Sequence, residues 1–121
     1  MKKIIIVDDD PAIQDAFKLI FPRDIFELTV FANALPVLNS HFEPPDIFIL
    51  DKQLSGVDGL DLCRFIKKRI DTKNVPVIIL SASPNITQLA MDAGADDILE
   101  KPFRIQRLRE MVDEQLQKVH H

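Results

Sequence analysis

A single cysteine, Cys63, cannot build an internal disulfide framework and fits a reducing cytoplasm. No apolar run approaches the ~20 residues that a membrane span needs. Two lysines stand near the start, but only Ile4 to Val7 separate them from three aspartates, so a secretory signal is not expected. Basic charge is scarce too. Fifteen Lys and Arg against 19 Asp and Glu leave a formal net charge of −4, with no electrostatic footprint for nucleic acid or anionic lipid. The first apolar run is not followed by a Gly-rich loop, so a nucleotide- or flavin-binding reading lacks its main support. Internal repeats, low-complexity segments and interdomain linkers are missing as well. What remains is a chain of 121 residues, 46% hydrophobic and 28% charged, which is expected to form one domain over residues 1–121. His120 and His121 read as a purification-tag remnant without a role.

Against these absences stands a repeating order of short apolar runs and amphipathic stretches. Lys3 to Val7 reads as a buried strand, ending at Asp8-Asp9-Asp10. Asp10 is a candidate N-cap with Pro11 in the first turn of a helix, and Ala12, Ile13, Ala16, Phe17, Ile20 and Phe21 mark its apolar face up to Pro22. Phe26 to Phe31 predicts a second strand. Asn33 can cap a short helix through about His41, with Pro36 tolerated near its start. Asp46 to Asp51 predicts a third strand, apolar on both faces as at the centre of a parallel sheet. From Gly59 a helix is expected with Leu62, Cys63, Phe65, Ile66 and Ile70 inward and Arg64, Lys67, Lys68 and Arg69 on a solvated face. Val75 to Leu80 predicts a fourth strand. Ser83 is a candidate cap for a helix beginning at Pro84, with Ile86, Leu89, Ala90 and Ala93 inward and Gly94 closing it. Ala95 to Leu99 predicts a fifth strand. A last helix carries Ile105, Leu108, Met111, Val112, Leu116 and Val119 on one side. Strand then helix, five times, predicts an α/β fold: a parallel sheet with helices on both faces.

In such sheets chemistry collects beyond the carboxyl ends of the strands. The first strand delivers Asp8 and Asp9 there, the third Asp51 and the fourth Ser81; Lys101 follows the fifth. Three carboxylates close together repel unless a cation or protons neutralise them. With oxygen ligands alone, Mg²⁺ is the expected cation. Lys101 adds a second positive charge and Ser81 a hydroxyl donor. The set suits phosphoryl transfer onto a carboxylate nucleophile. Read singly, an aspartate run is an ordinary helix start and a lysine before Pro-Phe an ordinary surface residue. Asp58 and Asp61 read as partners of a helix dipole, Asp96 and Asp97 as structural, Cys63 as core and His41 as a solvated helix end.

The segments IIIVDDDP, FILDKQLSGVDGLDLC, PVIILSAS and GADDILEKPF, each at a strand end and in this order, resemble the receiver domain of two-component response regulators. The likeness covers about Lys2 to Lys118. It implies a flavodoxin-like doubly wound five-stranded sheet in the order 2-1-3-4-5. It also implies residue roles. Asp51 would be the phosphoacceptor. Asp9, Asp51 and the backbone carbonyl of Gln53 would bind Mg²⁺ directly, with Asp8 assisting through water. Lys101 would pair with Asp51 and then with the phosphoryl group, which Ser81 and the Ala82 N–H would also contact. A cis Lys101–Pro102 peptide is implied as well.

The chain departs from the family pattern in four places: Ile98 stands where Tyr or Phe is usual, Ser55 where Pro is common, Lys52 where an apolar residue is common, and the Ser81–Gly94 segment is short. The implied protein is a switch that takes a phosphoryl group from a histidine kinase or histidine phosphotransfer protein, loses it by its own catalysis, and acts on an output partner that the sequence does not name. It is not a conventional enzyme. Two rivals stand beside it. A Mg²⁺-dependent aspartyl-phosphate phosphohydrolase would want an acid where Gln53 stands. A phosphorylation-independent interaction module would not need the intact Asp8, Asp9, Asp51, Ser81 and Lys101 set. No DNA-binding or catalytic segment follows the last helix, so the sequence reads as a stand-alone receiver or as one domain of a longer regulator.

Overall fold

The computed structural model describes residues 1–118. Five parallel strands form one sheet: β1 (Lys2–Val7), β2 (Phe26–Phe31), β3 (Ile47–Asp51), β4 (Val77–Ser81) and β5 (Asp97–Glu100), side by side in the order β2-β1-β3-β4-β5. This is the flavodoxin-like order. Helices α1 (Pro11–Ile20), α2 (Leu35–Leu38), α3 (Gly59–Lys68), α4 (Thr87–Asp92) and α5 (Ile105–Gln117) connect and cover the strands.

The apolar runs are continuous because both faces of the sheet are covered. Ile4 and Ile6 of β1, Ile47 and Ile49 of β3, and Ile78 and Leu80 of β4 pack with Phe17 of α1 and Leu108 and Val112 of α5. Their alternate neighbours Ile5, Val7, Phe48, Leu50, Val77 and Ile79 pack with Val37 of α2, Leu62, Cys63 and Ile66 of α3, and Ala90 of α4. The two-residue side-chain period of a strand therefore divides the sequence into two cores. Arg109 ties α5 to α1: its guanidinium donates to the Ile20 carbonyl at 2.8 Å and lies 4.7 Å from the centre of the Phe26 ring.

Helix starts follow local chemistry where a side chain caps them. Asp10 accepts from Ala12 N–H at 2.9 Å with Pro11 in the first turn, and Asp58 accepts from Leu60 N–H at 2.8 Å. Among the described residues, no helix is long and apolar enough to cross a membrane.

Several expectations need correction. β3 begins at Ile47, because Asp46 turns its carboxylate to the Lys3 N–H at 2.7 Å. β4 begins at Val77 and β5 runs Asp97–Glu100, both later than expected. α2 is a single turn: Asn33 accepts from Leu35 N–H at 3.0 Å, but the helix ends at Leu38 and Ser40 takes a positive φ of 59°. α4 starts at Thr87 rather than Pro84. Ser83 N–H is drawn to the Ser81 hydroxyl, and Asn85 adopts φ 66°, a left-handed conformation that interrupts any earlier turn. Gly94 closes α4 at φ 97°.

Ile70 and Leu89 face solvent, at 87% and 54% exposure, instead of the core. Lys67 is not on a solvated face; its ammonium donates to Asp96 and to the Val75 carbonyl, both at 2.8 Å. Arg69 lies over the Phe42 ring and pairs with Asp71. Val119 lies outside the described residues. A small hairpin that the sequence did not suggest, Gln53–Leu54 paired with Val57–Asp58, follows β3.

Candidate functional site

Parallel strands all end on one side of a sheet, and β1, β3 and β4 are adjacent there. β1 ends one residue before Asp8. The Asp8 N–H donates to the Phe31 carbonyl at 3.0 Å, which continues the strand pairing into the loop. Asp8 is fully buried, and its carboxylate accepts from the Asp10 N–H at 2.9 Å. Asp9, next in the chain, is exposed. Asp51 ends β3 and is 7% exposed. Carboxylate oxygens of Asp8, Asp9 and Asp51 lie within 4.8 Å of one another.

Lys101 reaches this cluster from beyond β5. Its backbone N–H donates to the Ser81 carbonyl at 2.7 Å, which fixes where the side chain starts. Its ammonium then stands 3.3 Å from Asp51 Oδ1 and 3.5 Å from Asp8 Oδ2. The following Lys101–Pro102 peptide is cis.

The electrostatics do not balance within the protein. Burial pushes the Asp8 carboxyl above its ordinary range, and the neighbouring Asp51 charge adds to this; the Asp10 N–H and Lys101 oppose it. At an effective dielectric of about 20, like unit charges within 4.8 Å of one another repel by roughly 3.5 kcal/mol or more per pair. Three repelling carboxylate pairs face two attractive contacts from Lys101. A divalent cation with a taste for oxygen restores the balance, and a few carboxylates at a partly open site are the donor set of Mg²⁺. The residues present fit that ion.

Ser81 is buried at the end of β4, and its hydroxyl is engaged locally: it accepts from the Ser83 N–H at 3.0 Å and donates to the Ser83 carbonyl at 3.3 Å. Ala82 is exposed and lies with Lys101 at the mouth of an apolar groove between α1 and α5, lined by Ile13, Ala16, Ile20, Phe103 and Leu108. Gln53 is exposed in the hairpin, and its N–H donates to Asp51 Oδ1 over a long 3.4 Å. Thus Asp8, Asp9, Asp51 and Lys101 are drawn into one cluster. Ser81, Ala82 and Gln53 border it; Ser81 meets Lys101 through the backbone, and its hydroxyl bonds Ser83 rather than the Lys101 ammonium.

Three neighbours were given no role at the site from sequence. Gln14 of α1 donates to the Asp8 carbonyl at 2.6 Å. Lys52 pairs with Asp58 at 3.2 Å across the hairpin, and its carbonyl accepts from Gly59 N–H at 2.6 Å. Gly59 itself packs so closely that a Cβ would overlap the Asp51 carbonyl oxygen. A signal existed for Gln14 alone, a polar residue beside the apolar stripe of α1 one turn beyond Asp10. The other two depend on how the hairpin folds back.

A family model described as the response regulator receiver domain matches residues 4–113. The chain is 42% identical over 103 residues to the transcriptional regulatory protein CseB of Streptomyces coelicolor, a match covering 83% of this chain and 43% of that protein. The chain thus spans less than half the length of this relative. Among solved structures, the BeF3-activated DrrB receiver domain is 31% identical with a TM-score of 0.83, covering 98% of this chain and 99% of that one. The receiver domain of the sensor histidine kinase PA1611 from Pseudomonas aeruginosa PAO1, solved with a magnesium ion coordinated in its active site cleft, shares the fold. Its TM-score is 0.84 at 23% identity, with coverage of 97% and 98%.

Proposed function

The chain belongs to the response regulator receiver domain family, and on that footing we propose that it is a phosphoryl-accepting switch whose acceptor is Asp51. The donor is a phosphohistidine on a histidine kinase or a histidine phosphotransfer protein. An Asp51 carboxylate oxygen attacks phosphorus, the P–N bond breaks, and its electron pair returns to the imidazole nitrogen. Water later attacks the same phosphorus, the P–O bond to Asp51 breaks, and inorganic phosphate leaves with the carboxylate restored. The single observation that carries this reading is the placement of Lys101 against both Asp51 and Asp8 at the edge of a three-carboxylate cluster.

Asp8, Asp9, Asp51 and the Gln53 carbonyl would hold Mg²⁺, which when bound neutralises the carboxylates and the charge of the transferring oxygens. Lys101 exchanges its Asp51 contact for a phosphoryl oxygen, to which the Ala82 N–H also donates. The Ser81 hydroxyl must leave Ser83 to reach that group, and its departure loosens the stretch leading into α4. The half-buried Ile98 packs on the same core as Ile86 and Ala90, so the change passes through aliphatic packing rather than an aromatic ring. The apolar groove between α1 and α5 opens beside Lys101. A buried, unpaired Cys63 suits the cytoplasm. Gln53 supplies no acid for a leaving group, which speaks against a phosphomonoester hydrolase.

The test is amide NMR of the protein with Mg²⁺, before and after beryllofluoride. Shifts centred on Asp51, Ser81 and Lys101 are expected, and their loss in Asp51→Asn. An Asp51→Asn variant that responds like the wild type would sink the assignment; no response in either would favour a phosphorylation-independent module.

A further inference from the structure

Asp8 and Asp9 are held in different ways. Asp8 is gripped through its N–H by Phe31, through its carboxylate by Asp10 N–H and Lys101, and by complete burial. Asp9 is exposed, and among the described residues no hydrogen bond or ion pair fixes its carboxylate. Its side chain nevertheless lies within 4.8 Å of the other two carboxylates. The direction of its Cα–Cβ bond must then come from the backbone, and above all from the peptide unit joining Asp8 to Asp9. That unit is pinned at its carbonyl by the Gln14 side-chain amide, at 2.6 Å. Gln14 is half-buried on α1, six residues along the chain from Asp8, and the helix is itself started by Asp10. One side chain thus couples the orientation of an exposed acidic residue to the first turns of α1.

We propose that Gln14 is a positioning residue for the cation site: its amide holds the Asp8–Asp9 peptide plane so that Asp9 faces Asp8 and Asp51. This rests on the reading of the three carboxylates as a Mg²⁺ site. Without the amide donor the peptide plane turns more freely, and part of the binding free energy goes into restoring it. The effect is on the cation and reaches phosphoryl chemistry only through it.

Gln14→Met keeps length and helix propensity and removes the donor. Mg²⁺ affinity of the free protein, read by amide shifts, should weaken about three- to tenfold, the range expected for one net hydrogen bond. The Asp8 carbonyl ¹³C resonance should move even without Mg²⁺. Gln14→Lys keeps an N–H donor of similar reach; in salt high enough to screen its charge, affinity should return toward wild type. A Met variant with a displaced Asp8 carbonyl resonance and wild-type Mg²⁺ affinity would overturn the proposal. So would a Lys variant that, in that salt, binds Mg²⁺ about tenfold or more weakly than the wild type in the same salt, an arm that stands even if the Met variant folds poorly. A wild-type protein that shows no Mg²⁺ response removes the site reading itself, and the inference with it.

Discussion

Lys101 Nζ stands 3.3 Å from Asp51 Oδ1, and the backbone N–H of the same lysine donates to the Ser81 carbonyl at 2.7 Å. The ends of β3, β4 and β5 are thereby joined through one residue. Truncating it has opposite effects on the two ligands of the site. Lys101→Ala removes a positive charge from beside the carboxylates, so Mg²⁺ affinity should hold or rise. Beryllofluoride loses a charge-assisted contact and should bind about 10- to 100-fold more weakly. Titrations of both ligands by NMR check the pair; equal weakening of both would mean the lysine is only a structural prop.

Asp8 makes the metal-free site a source of instability. Its folded-state pKa is raised above the ordinary value of 3.8, chiefly by burial. A group raised in this way contributes stability that is complete below its unfolded pKa and is lost as pH climbs through the folded value. Asp8→Asn should therefore unfold at a higher temperature than wild type without Mg²⁺, with a gap that widens as pH climbs from the unfolded value of 3.8 through the raised folded value. Added Mg²⁺ should stabilise the wild type and leave the variant nearly unmoved. Thermal melts across pH, with and without Mg²⁺, test both signs.

Gly59 is needed for space. A methyl group there meets the Asp51 carbonyl oxygen and the Lys52 Cα, both backbone atoms that cannot swing aside. Gly59→Ala should cost roughly 3 kcal/mol or more, lowering the melting temperature by about 10 °C, and should disturb the Asp51 resonances. Gly56→Ala is the contrast: nothing lies within 4 Å, and only its φ of 78° resists substitution. Its cost should be about 1 kcal/mol.

Cys63 donates to the Ala93 carbonyl at 3.5 Å inside the core, and burial pushes its thiol up to about 11. Reaction with a thiol reagent near pH 8 should be slow in the native protein and fast in denaturant, following opening of the α3–α4 core. Its linkage has the same sign as that of Asp8. Stability from the thiol is intact below the unfolded value of 9.0 and disappears as pH rises through about 11. Fast native labelling would show that α3 does not pack as described.

Much of the fold was legible because burial on both faces makes a strand a near-continuous apolar run, and three of the five runs here are uninterrupted. The acidic and basic positions were legible because each falls just beyond such a run. The helix boundaries were less so. Ser83-Pro84 looks like a helix start, yet the Ser81 hydroxyl competes for Ser83 N–H and Asn85 turns left-handed. Leu89 carries the right residue type at the wrong angle around a short helix, Ile70 lies beyond the end of α3, and Lys67 carries a charge that the fold buries against Asp96.

By itself the sequence determined the class of the fold and which residues stand at strand ends, because both follow from local periodicity and from the order of segments along the chain. Only the tertiary structure decided that Lys101 contacts Asp8 and Asp51 together, that the Ser81 hydroxyl is spent on Ser83, and that Gln14 pins the peptide before Asp9. The Lys101 contacts depend on distances of a few ångströms between residues remote in sequence, and the Ser81 and Gln14 contacts on how the chain turns just beyond a strand end. Those distances are set by how sheet, hairpin and helix pack against one another, which no local pattern contains.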